Sequence, residues 1–194
     1  MSEDVPNPFD RVVEPWEGVI EDMEAIAAEF REAEWDVLEL HPGDVATLDG
    51  SGREAGTGGD ESEGEAGGDG GNGGDDTDGA DTASDTDTDR FGLEVLVPDP
   101  EFEQLESWIK EGTRFGSYEV YRTTENGVVF LLVVLTDEAT ERTVCVPAYY
   151  ESEKASALRE RAEREGVFFT YVRRLRRNRV ITFTGDDPDF FLPE

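Results

Sequence analysis

The sequence predicts a single α+β domain: one largely antiparallel sheet with a central meander, and three helices. Three observations carry this. Val128-Val129-Phe130-Leu131-Leu132-Val133-Val134-Leu135 is an unbroken apolar run rich in branched residues, bounded by Asn126-Gly127 and Thr136-Asp137, the pattern of a strand buried on both faces. Tyr118–Thr123 and Thr143–Pro147 are β-rich and separated from that run by short turns, so the three segments form a meander with the apolar run in the middle. Helical spacing of apolar residues appears in three other places.

The first is near the start of the chain. Trp16, Ile20, Met23, Ala27 and Phe30 fall on one face of a helix reaching to Glu34, with Pro15 placed for its first turn and acidic residues opposite. Trp35–Leu40 reads as a strand, His41-Pro42-Gly43-Asp44 as a turn, and Val45–Leu48 as a short return. Phe91–Val97 resumes a strand. Asp99-Pro100-Glu101 is a helix start with Asp99 as N-cap; Phe102, Leu105 and Ile109 give the apolar face and Gly112 the stop. After the meander, Ser152 caps a helix over Glu153–Glu165 with Ala155, Leu158 and Ala162 inward and Gly166 at its end. Val167–Arg173 and Arg179–Thr184 form a closing hairpin turned near Arg177-Asn178, and the tail from Gly185 to Pro193 docks its Phe190-Phe191 pair.

Residues 49–89 break this pattern. These 41 residues hold 13 glycines, 14 acidic residues and one arginine, and cannot bury enough apolar surface to offset chain entropy. They are expected to be a disordered acidic insert between two paired strands. Residues 1–48 then belong to the same domain as the main part at 90–194. In element order, 91–135 and 142–184 are both strand, helix, strand, strand. One reading is an internal helix-strand-strand duplication with a pseudo-twofold axis near the meander; the other is that this unit is simply common in antiparallel α+β domains.

The chain carries 48 acidic against 17 basic residues, a net charge of -31, and its only lysines are Lys110 and Lys154. Such self-repulsion is relieved by salt. Together with Phe91-Gly92-Leu93-Glu94-Val95-Leu96-Val97-Pro98-Asp99, Tyr118-Glu119-Val120-Tyr121-Arg122 and Val146-Pro147-Ala148-Tyr149-Tyr150, this composition resembles a conserved hypothetical family of halophilic archaea, a domain of unknown function. The resemblance implies a source and a salty cytoplasm, and no functional residues. Neither a signal peptide at Met1-Ser2-Glu3-Asp4 nor a membrane-length apolar run is present, so a cytoplasmic location without a membrane partner is expected.

Candidate chemistry is sparse. His41 is the single histidine and Cys145 the single cysteine; the first reads as a turn residue, the second as a small buried strand residue, and no triad forms around either. Asp186-Asp187-Pro188-Asp189 is what composition alone would produce, and the insert's glycines lack the strand-to-helix setting of a phosphate loop. No catalytic, cofactor-binding or metal residue is assigned. The one departure is basic: Arg159, Arg161, Arg164, Arg173, Arg174, Arg176, Arg177 and Arg179 place eight of 17 basic residues within 21 positions. Of these, Arg173, Arg174, Arg176, Arg177 and Arg179 are the candidate contacts for phosphate or nucleic acid. The competing reading pairs them with the chain's own carboxylates, on the acidic first helix or at Asp186-Asp187, and is preferred because phosphate contacts weaken steeply with salt.

The sequence-based expectation is therefore a non-enzymatic cytoplasmic binding module for a protein or small molecule. Nucleic-acid binding through the arginines, or an enzyme with a groove site, are the alternatives. Removing the insert's -13 from -31 leaves -18 on the rest of the chain, so stability should rise with salt. Thermal melts in 0.1 and about 1 M potassium chloride, where the Debye length falls from about 10 to 3 Å, should show a clear increase in midpoint; a flat or falling midpoint contradicts it.

Overall fold

The computed structural model describes residues 10–50, 90–176 and 179–193, so most of the expected acidic insert, with residues 177 and 178 of the closing turn, lies outside the described residues. Three helices and eight strands are found in these residues: α1 (Asp10–Glu32), β1 (Asp36–Glu39), β2 (Asp44–Asp49), β3 (Phe91–Val97), α2 (Asp99–Lys110), β4 (Ser117–Glu125), β5 (Val128–Asp137), β6 (Arg142–Glu151), α3 (Ala155–Glu165), β7 (Phe168–Arg174) and β8 (Val180–Gly185). The α+β class and the meander hold. The strands are divided between two four-stranded sheets, β1-β6-β5-β4 and β2-β3-β7-β8. Each is antiparallel except for one parallel pair, β1 with β6 and β3 with β7.

β5 explains the layering. Val129, Leu131, Val133 and Leu135 enter the main core with Val144, Val146 and Ala148 of β6, while Phe130, Leu132 and Val134 pack on the opposite face beneath Val19 and Met23 of α1. The second sheet covers the first face with Phe91, Leu93, Val95, Val97, Phe168 and Val172. α2 contributes Phe102, Leu105 and Trp108 to this core, and α3 contributes Ala155, Leu158 and Ala162.

Local chemistry sets the turns. Asn126 and Gly127 have φ of 52° and 80°, the two positive values a tight hairpin turn needs, and join Glu125 to its partner Val128. Asp137 ends β5 by accepting from the N–H groups of Arg114 (2.8 Å) and Ala139 (3.0 Å) and the Thr140 hydroxyl (2.8 Å). These donors, the Arg114 N–H foremost, hold its carboxyl below the usual range. Gly92 has φ of +124°, and a Cβ there would lie 2.0 Å from the Phe169 carbonyl oxygen, so β3 approaches β7 as closely as it does only because this residue is glycine.

Several expectations change. α1 starts at Asp10, so Pro15 is inside the helix rather than in its first turn, and the carbonyl one turn earlier loses a donor. At α2 the N-cap position is Pro98, and Asp99 and Pro100 occupy the first helical positions. Only one of the tail phenylalanines docks: Phe191 is buried and stacks on Phe168 at 4.6 Å, whereas Phe190 is 53% exposed. The strand-helix-hairpin order does occur twice, and both times the hairpin lands in the other sheet. The pairing does not repeat. β6 adjoins β5 antiparallel, whereas β3 adjoins β7 in parallel, so no twofold axis relates the halves. β2 and β3 pair antiparallel, with Asp49 opposite Phe91, so the connection between them spans the end of a strand pair.

Leu132→Asp would leave a carboxylate without a partner under α1 and should destabilise the fold by several (about 3–5) kcal/mol. Thr124→Asp, on exposed β4, should change stability by less than about 0.5 kcal/mol. Chemical denaturation of both variants measures the contrast; equal effects would contradict the two-faced burial of β5.

Candidate functional site

The arginine cluster is carried by α3 and the β7–β8 hairpin, and the strand alternation sends successive guanidinium groups to different surroundings. Arg173 Nε lies 2.7 Å from Glu94 Oε2 of β3, with side-chain exposures of 9% and 6%, a buried ion pair. Arg174 faces the opposite way, its Cζ 6.0 Å from the Phe102 ring centroid of α2. Arg179 Nη1 lies 2.6 Å from Glu106 Oε1, also on α2. Glu106 additionally accepts from Lys110 at 2.8 Å, and that hydrogen bond, followed by the Arg179 charge, lowers its pKa. Arg176 is exposed and has no partner among the described residues, Leu175 beside it is 68% exposed, and Arg177 lies outside the described residues.

The carboxylate partners described for Arg173 and Arg179 are thus internal, but they come from β3 and α2 rather than from α1 or Asp186-Asp187. On α3, Arg161 stacks over Phe91 with 5.2 Å to the ring centroid. Arg159 reaches the tail: Nη1 is 3.0 Å from Asp189 Oδ1, and Nη2 donates to the carbonyls of Leu192 (3.1 Å) and Pro193. Arg122 of β4 joins it there, donating to the carbonyls of Asp189 (2.7 Å) and Leu192, and the Tyr150 hydroxyl donates to that of Phe191 (2.8 Å). Arginines adjacent in sequence therefore serve different joints of the fold.

The other candidates are accounted for locally. Both His41 groups meet one carboxylate: its N–H donates to Glu101 Oε2 (2.7 Å), and Nδ1 is 2.9 Å from Oε1. Cys145 is fully buried opposite Glu39 of β1, and burial pushes its thiol up to about 12, far from a reactive thiolate. In the acidic tail, Asp186 Oδ1 accepts from the Tyr118 hydroxyl (2.8 Å) and Asp187 Oδ1 from the Asp189 N–H (3.2 Å). Among the described residues, no three or more His, Cys, Asp or Glu side chains are grouped to hold a metal ion, and no helix is long and apolar enough to cross a membrane.

A feature that the sequence reading passed over is the outer edge of the first sheet. β4 pairs with β5 on one side only among the described residues, and Tyr121–Glu125 are exposed throughout. Tyr121, 48% exposed, projects on the α1 side, while α1 itself lies over β1, β5 and β6. Phe190 flanks the same strand on its other face, edge-on to Tyr118 at 6.5 Å. The sequence did hold a signal: in Tyr118–Glu125 only Tyr118, Val120 and Tyr121 are apolar and the last four residues are all polar, unlike the continuous apolar run beside it.

Fold and site together define a two-sheet α+β domain with arginine-tied joints and, among the described residues, one strand edge at β4 without a neighbour. The chain belongs to a family of unknown function, DUF7529, whose model matches residues 2–64 and 73–193. No curated protein and no solved structure matches the chain.

Glu94→Ala would take its carboxylate partner from the buried Arg173 guanidinium and should cost about 3–5 kcal/mol. Glu106→Ala, which frees the half-exposed Arg179, should cost less than about 1 kcal/mol. Urea midpoints for the two variants test this, and a smaller loss for Glu94→Ala than for Glu106→Ala would reverse the assignment.

Proposed function

We propose that this chain is a non-enzymatic binding module that recruits an extended segment of a protein partner along β4. The edge carries the reading: nine residues of strand with a hydrogen-bonded neighbour on one side only among the described residues, bracketed by exposed Tyr121 and Phe190. An exposed strand edge offers unpaired backbone groups to an incoming strand, and aromatic side chains on both faces supply the apolar contact that strand addition needs. The acid excess supports a salt-rich cytoplasm, as in a halophile, as the working medium, since the charge on the surface would otherwise hold partners apart.

A second reading, a phosphate or nucleic-acid contact at Arg173, Arg174, Arg176, Arg177 and Arg179, is supported by the exposed Leu175-Arg176 tip. It is weaker because Arg173 and Arg179 already hold carboxylates at 2.7 and 2.6 Å.

A photoreactive side chain placed at Tyr121, with one at exposed Glu103 on α2 as control, tests the first reading in native lysate at molar salt. Cross-links to a discrete protein at Tyr121 and none at Glu103 are expected. In parallel, labelled single- and double-stranded nucleic acid is titrated at low and molar salt. Tight binding that persists in molar salt and vanishes in an Arg174, Arg176, Arg177 triple-alanine variant, with no cross-link at Tyr121, would replace the proposal with the second reading.

A further inference from the structure

We infer that the occupant of the β4 edge is β4 of a second copy of this chain, paired antiparallel about a twofold axis through Tyr121, so that two four-stranded sheets become one continuous sheet. The inference rests on the proposed binding role of β4 and specifies its partner.

The argument is one of register. A strand edge carrying charges admits only alignments in which like charges do not face each other. In Ser117-Tyr118-Glu119-Val120-Tyr121-Arg122-Thr123-Thr124-Glu125, a twofold axis normal to the sheet places each residue opposite one on the same face. Centring it on Arg122 opposes two guanidinium groups and sets Glu119 against Glu125; centring it on Glu119 opposes two carboxylates. Centring it on Val120 avoids both but leaves Thr124 and Glu125 without partners. Tyr121 is the midpoint of the nine residues, and the axis there engages all of them: Ser117 faces Glu125, Tyr118 faces Thr124, Glu119 faces Thr123, and Val120 faces Arg122.

No like charges are directly opposed in that alignment; the nearest, Glu119 and Glu125 of the other copy, are diagonal neighbours. The two half-exposed Tyr121 rings become a cross-strand aromatic pair on the α1 side, and Phe190 of each copy lies along the other face. Two chains each of net charge -31 repel at low ionic strength, so the pairing must strengthen as salt shortens the range of that repulsion.

Sedimentation equilibrium of the full chain reads this directly. A twofold increase in mass is expected in molar potassium chloride, with an affinity about tenfold or more above that at tenth-molar salt. Tyr121→Glu, which opposes two carboxylates at the centre, should be monomeric in molar salt while keeping the wild-type thermal midpoint in dilute tenth-molar salt, where neither chain is paired, and Tyr121→Phe should still dimerise. A short bismaleimide should cross-link Tyr121→Cys to itself and leave Thr124→Cys, which faces Tyr118, single; Cys145 is buried and does not compete. A chain that stays monomeric in molar salt, or a dimer that survives Tyr121→Glu without the Tyr121→Cys cross-link, overturns the inference. A monomer whose photoreactive Tyr121 captures a different protein overturns the second copy as occupant and leaves the binding role standing, whereas a monomer that captures nothing overturns both.

Discussion

The two-sided burial of β5 is the constraint from which the rest of the architecture follows. A strand with Val129, Leu131, Val133 and Leu135 on one face and Phe130, Leu132 and Val134 on the other must be covered twice. One helix and a second sheet supply the covers. α1 is amphipathic and long enough to lie across β1, β5 and β6, and β3, itself buried along its whole length, brings the second sheet to the opposite face.

Those two layers are held together by the path of the chain as well as by apolar contact. β1 ends in the first sheet and β2 begins in the second; β3 sends its hairpin back through α2, and β6 sends one forward through α3. Neither sheet can be assembled from a continuous stretch of sequence. Four arginines tie together elements distant in sequence: Arg173 between β7 and β3, Arg179 between the last hairpin and α2, and Arg159 with Arg122 around the tail. Each guanidinium offers several donors in a fixed fork, which suits joints where carbonyl and carboxylate oxygens arrive from different elements.

What could be read from the sequence was local. The apolar run of β5, the Asn126-Gly127 turn, the stop of α3 at Gly166, Phe102 and Leu105 of α2 and the inward residues of α3 are each set by neighbours within a few positions and appear where the residue types put them, whereas Trp108 takes the third buried place on α2 and Ile109 is only partly buried. The division into two sheets was not legible, because β1 and β2 are consecutive in sequence but choose partners about 100 and 50 residues away, and periodicity carries no information about partners. The start of α1 was missed because Pro15 is a stronger sign of a first turn than the weakly patterned residues before it. The destinations of Arg173 and Arg179 depend on the same unseen strand pairing. So does the exposure of Tyr121, which follows from β4 being last in its sheet.

The pairing of Asp49 with Phe91 bears on how this family can change. The two ends of the intervening segment are fixed side by side by their own strands, so the chain-closure cost of a longer connection rises slowly, by about 0.6 kcal/mol for each doubling of length. The family match is itself interrupted within this segment, between residues 64 and 73. This corner of the second sheet is thus a natural port of insertion: a fluorescent domain, an affinity tag or a charged tract of another length could be grafted there while Asp49 and Phe91 keep the register of β2 and β3.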